Sequence, residues 1–100
     1  MKVVYTDSAI AEFNKIADNS RREYGDLVAA KLEKRLRQTI AAISTAPKGG
    51  SCVVDRPGVY ALALVQYPFK IYYRIGTEAA EIVHIHNTSQ QSWEKSQKDF

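Results

Sequence analysis

One hundred residues, 45% apolar and 25% charged, suffice for one compact domain (1–100) and leave no room for a second core. A formal net charge of +3 favours acidic partners, either nucleic acid or an acidic protein, without selecting between them. No apolar run nears the roughly 20 residues of a membrane span, the start Met1-Lys2-Val3-Val4-Tyr5 lacks the apolar centre of a secretion signal, and the single Cys52 suits a reducing compartment, so a cytoplasmic protein without membrane contact is expected.

Lys2 to Tyr5, rich in β-branched and aromatic residues, predicts a short first strand. Thr6-Asp7-Ser8 supplies side chains able to cap orphan helix amides. Ala9, Phe13, Ile16, Ala17 and Ser20 then recur at spacings of three and four, the stripe of a helix from about Ser8 to Arg22. Gly25 suits the left-handed position that ends it, and Asp26 the next cap. Val28, Leu32, Leu36, Ile40 and Ile43 continue the helical period up to Pro47, with Glu33 and Arg37 one turn apart and able to pair. The two helices form a hairpin.

Lys48-Gly49-Gly50-Ser51 and Arg56-Pro57-Gly58 read as turns around an extended piece, Cys52-Val53-Val54. Val59 to Val65 is almost wholly apolar and reads as a buried strand. After Pro68, the residues Phe69, Ile71, Tyr73 and Ile75 alternate with Lys70, Tyr72 and Arg74. Gly76-Thr77-Glu78 turns the chain into a last strand, about Ala80 to His86. Residues 89–100 are either a short helix or a frayed tail. The order predicts an α+β domain: an N-terminal strand, a helical hairpin, then an antiparallel three-strand meander, with helices packed on one face of the sheet. Period two assigns Val83 and Ile85 to the core row and leaves Ile82, His84 and His86 outward. The open face should then gather Lys70, Tyr72, Arg74, His84 and His86.

With these residues in place, the chain resembles the ParE/RelE superfamily of toxins from type II toxin–antitoxin pairs, and the ParE branch more than the RelE branch. The resemblance rests on Val4-Tyr5-Thr6, Ala9, Phe13, Ile16, Ala29, Leu36, Pro47, Gly49 and Arg56-Pro57-Gly58 in order. Its closest local matches are Tyr67 to Ile75 and His86 to Trp93. It implies a toxin neutralised by a ParD-like antitoxin in an oligomeric complex. The ParE branch implies DNA gyrase as the target; the RelE branch implies ribosome-dependent cleavage of mRNA. RelE-like nucleases commonly carry an Arg in the second strand and another after the last. This chain has Tyr60-Ala61-Leu62 and the uncharged Ser89-Gln90-Gln91-Ser92 instead. A degenerate toxin that keeps only antitoxin binding is the third reading.

Candidate residues follow from both lines. For a nuclease, His84 and His86 have the right titration range for acid and base, with Lys70 and Arg74 as cations for developing phosphorane charge. Strand histidines beside apolar neighbours are more often structural or partner-facing, so the favoured assignment is no catalytic residue and a target-binding surface of His84, His86, Gln90, Gln91 and Trp93, supported by Lys70 and Arg74. Trp93 either anchors its segment or serves as a binding hot spot. Phe13, Lys31, Lys34, Arg35 and Arg37 are candidate antitoxin contacts, against the plainer reading of a solvated basic helix face. No cofactor is expected, and no metal site, because two histidines lack an evident third ligand.

Overall fold

Strand β1 (Lys2–Tyr5) runs into Thr6, whose Oγ1 accepts the Ala9 N–H at 3.1 Å and caps helix α1 (Asp7–Tyr24). A computed structural model describes residues 1–89. Arg21 and Arg22 sit in the last turn of α1, where cations suit the helix dipole. Gly25, at φ +88°, then reverses the chain into helix α2 (Asp26–Thr45). Asp26 is not the cap expected of it: it is already helical, and Gly25 holds the cap position without a side-chain hydrogen bond. A 3₁₀ turn at Pro47–Gly49 leads into β2 (Ser51–Cys52), β3 (Val59–Ala63), β4 (Phe69–Ile75) and β5 (Ala79–Asn87). Among the described residues, no helix is long and apolar enough to cross a membrane.

The five strands form one sheet in the order β1-β5-β4-β3-β2. β1 lies parallel to β5, and the other pairings are antiparallel. The expected α+β arrangement is therefore present, with the extended piece after Gly50 joining as a two-residue edge strand. Ala9, Leu32, Leu36, Ile40 and Ile43 of the helices bury against Ile71, Tyr73, Ala80, Ile82 and Ile85 of the sheet. Burying each of the Leu and Ile side chains among them contributes on the order of 1.5–3 kcal/mol before conformational entropy is set against it. Helices thus cover one face.

Two assignments on the other face fail. Tyr72 is not open but fully buried, in a second cluster with Val53, Val59 and Ala61, against which Val83 packs. The turn between β2 and β3 covers it, held by Val53 N–H to the Val59 carbonyl (2.9 Å) and Val59 N–H to the Arg56 carbonyl (3.0 Å). Ile82 and Val83 also exchange roles: Ile82 lies in the helix-side core and Val83 on the outer side. The cause is a β-bulge. Tyr73 lies opposite Ile82 and Tyr72 opposite His84, which leaves Val83 as an extra residue. The expected Glu33–Arg37 pair is also replaced. Arg21 reaches Glu33 at 3.6 Å across the hairpin, and the Arg37 guanidinium lies 5.8 Å from the Phe13 ring centre.

Candidate functional site

Cross-strand register puts the polar residues of β4 and β5 on the outer face. Lys70 pairs with His86, Tyr72 with His84, and Arg74 with Glu81. Directly opposed residues project to the same side of a sheet. The Tyr72 and His84 rings lie 5.8 Å apart centre to centre, and those of His84 and His86 lie 5.5 Å apart. Lys70, Tyr72, His84 and His86 thus form one group. Arg74 is exposed and sits about 13 Å along β4 from Lys70 by the strand rise, opposite Glu81. Gln90, Gln91 and Trp93 lie outside the described residues.

Two further residues belong to this group. The first is Glu12 of α1. Its Oε2 contacts His84 Nδ1 at 2.5 Å, and its Oε1 accepts the Ile85 N–H at 3.1 Å. A helix residue reaches a strand histidine because β1 stops opposite Ile82 and leaves the β5 edge open to α1 beyond it. The second is Arg56, in the turn over the outer face, whose charge acts on His84.

Burial sets the protonation here. It pushes the His84 imidazole down to about 4, and the nearby charges of His86 and Arg56 push it the same way. Burial raises the Glu12 carboxyl above its ordinary value, opposed by the Ile85 N–H and by the charges of His86 and Lys15. An ionised carboxylate at 2.5 Å ordinarily lifts an imidazole, so contact and shift pull in opposite directions. Both are satisfied if a neutral imidazole donates its Nδ1–H to a carboxylate whose other oxygen accepts Ile85 N–H. At neutral pH, His84 is then an oriented, uncharged group. The sequence expectation that His84 titrates in the range useful for acid catalysis is corrected. The Nε2 atoms of both His84 and His86 are buried.

A groove of about 640 Å³ runs beside this group, lined by Glu12, Ile16, Tyr24 and Val28 of the helices and by Phe69 and His86 of the sheet. A smaller one of about 320 Å³ lies over Lys70, Tyr72 and His86. On α2, Lys34 and Arg37 line a shallow groove of about 410 Å³, with Lys31 and Arg35 outside its lining. Lys31, Lys34 and Arg37 are exposed, whereas Arg35 and Phe13 are half-buried. Among the described residues, no three His, Cys, Asp or Glu side chains gather as metal ligands would.

The sequence matches the family described as the ParE toxin of the type II toxin–antitoxin system, parDE, over residues 3–92. The chain belongs to the ParE toxin family. No curated protein sequence matches it. Among solved structures, its fold resembles a chain of the chromosomal ParDE toxin–antitoxin system from P. aeruginosa. That match has TM-score 0.78 and 23% identity over 87% of this chain and 95% of that one. The isolated E. coli RelE toxin matches with TM-score 0.63 and 13% identity, over 98% of this chain and 94% of that one. A chain of the intact E. coli RelBE complex matches with TM-score 0.62 and 12% identity, over 86% and 94%. At these identities the likeness is one of fold.

Proposed function

We propose that this ParE-family chain arrests growth by binding DNA gyrase while gyrase is engaged with cleaved DNA, and that a cognate ParD-like antitoxin neutralises it. The observation that carries the binding reading is the burial of both imidazole Nε2 atoms, in a His84 that burial holds neutral and Glu12 orients. An acid–base pair must exchange protons with substrate, and the burial of these nitrogens weighs against that role. Lys70, Arg74, His84, His86, Gln90, Gln91 and Trp93 form the proposed target surface, to which Arg56 is added for its charge beside His84. The antitoxin is assigned the helical hairpin, through Phe13, Lys31, Lys34, Arg35 and Arg37. The likeness to a chain of a ParDE system supports that partner.

One observation favours a second reading, cleavage of mRNA on the ribosome. Arg56 near His84, with Lys70 opposite His86, supplies the paired cations that phosphodiester cleavage needs. Induced expression without antitoxin separates the possibilities. Lost plasmid supercoiling with intact messages supports gyrase binding. Messages cut in primer-extension mapping support the nuclease, and normal growth supports a degenerate toxin. The surface itself is tested by replacing Trp93, or His84 together with His86, which should relieve arrest while circular dichroism stays native. Persistent toxicity in every such variant means that the surface is wrong.

A further inference from the structure

Lys70 and His86, opposed across β4 and β5, share the 320 Å³ pocket on the outer face. Its walls are chiefly Ala63, Tyr67, Phe69 and Tyr72, so an ammonium and an imidazole are set in an apolar, largely aromatic enclosure. The His86 Nε2 atom is buried and, among the described residues, has no hydrogen-bond partner. A buried polar atom in that condition costs stability unless a group from outside meets it. In the tautomer that carries its proton at Nε2, His86 offers a donor to the pocket that Lys70 also lines. The same histidine row already holds one carboxylate. Glu12 takes the His84 Nδ1–H at 2.5 Å with one oxygen and the Ile85 N–H at 3.1 Å with the other.

We propose that this pocket receives the carboxylate of a Glu or Asp side chain from an acidic segment of the target protein, with Lys70 as its counter-charge and His86 Nε2–H as its hydrogen-bond donor. Such charge-assisted contacts are the strong ones, and few placed polar groups in an apolar enclosure are how a pocket fixes one ligand group. The methylene stem of the acid meets the aromatic walls. What lies along the face sets nucleic acid aside. A phosphate backbone is held by several cations in succession. Here Lys70, Arg56 and Arg74 are interrupted by acids, Glu12 at His84 and Glu81 opposite Arg74. Among the described residues of this face, no continuous basic track forms, which selects an isolated carboxylate over a polyanion. The proposal rests on the gyrase reading above and deepens it by naming the chemistry of the anchor.

Carbodiimide cross-linking of the full chain to gyrase holoenzyme on plasmid DNA tests this, because the reagent joins an amine to a carboxylate only where the two touch. Mass spectrometry should find Lys70 Nζ amide-linked to a gyrase Asp or Glu. Lys70→Gln, and His86→Phe, which keeps a ring without the donor, should each raise the concentration that inhibits supercoiling by about 10-fold, the loss of one anchoring contact. Lys70→Glu should regain potency against gyrase that carries Lys at the linked position. Inhibited gyrase with none of its carboxylates linked to Lys70, or either single variant as potent as the parent, overturns the carboxylate pocket and leaves the gyrase reading intact. Protection of Lys70 from acetic anhydride by plasmid DNA alone makes the ligand a phosphate and overturns the pocket as well. Failure of the folded chain to inhibit gyrase at all overturns both.

Discussion

His84 carries an unusual load for one side chain: its ring stacks on Tyr72 and lies tilted against His86, it donates to Glu12, and burial holds it neutral. That arrangement makes stability depend on pH in a definite direction. An imidazole of ordinary pKa 6.5 in the unfolded chain and about 4 in the fold takes up its proton later when folded. Stability from this group is full above about 6.5 and is lost as pH falls towards 4, by at most about 3 kcal/mol. Glu12, raised by burial, acts the opposite way, adding stability at acid pH that disappears as pH rises through its folded value. Denaturant titrations between pH 4 and 7 should show the net decline on acidification, and His84→Gln should flatten it. An equal slope in that variant would assign the decline elsewhere. Glu12 was legible in part. It lies three residues after Ala9 and four before Ile16, on the apolar stripe of α1, and an acid there needs a buried partner. The sequence has no comparable signal for which partner it finds.

Among the elements, β4 was readable because Phe69, Ile71, Tyr73 and Ile75 keep strict alternation, and all four meet the helices. β5 was not, because one inserted residue, Val83, shifts the phase. Without it Ile82, His84, Ile85 and His86 alternate regularly, and period two cannot distinguish an insertion from a change of face. Tyr72 misled for another reason. Its cover comes from the β2–β3 turn, a segment whose path depends on tertiary packing. A second tertiary contact fixes the start of β2: the Tyr73 hydroxyl donates to the Pro47 carbonyl at 2.7 Å and accepts the Gly50 N–H at 3.1 Å. Tyr73→Phe should cost about 1–3 kcal/mol in chemical denaturation, since it strips Gly50 of its acceptor. A Cβ on Gly50 would stand 2.5 Å from that hydroxyl and 2.8 Å from the Ala61 carbonyl oxygen. Gly50→Ala should therefore also destabilise, by about 1–3 kcal/mol, and by less when combined with Tyr73→Phe. Strict additivity would show that the two groups do not press on each other.

At the scale of the whole molecule, the helical hairpin takes one face of the sheet and leaves the histidine row to the other, with Glu12 passing round the open edge to join them. Under the proposed assignments, the antitoxin and target surfaces would adjoin across the groove that lies between the helices and β5. The target side is best tested with purified gyrase, relaxed plasmid and ATP, titrated with the folded chain while supercoiled and cleaved DNA are quantified on gels. The account predicts that supercoiling fails and cleaved DNA accumulates, and that Lys70→Ala combined with His86→Ala shifts both to about 10-fold higher concentration, as loss of hot-spot contacts would. Full-rate supercoiling under a large excess of native, folded chain would contradict it.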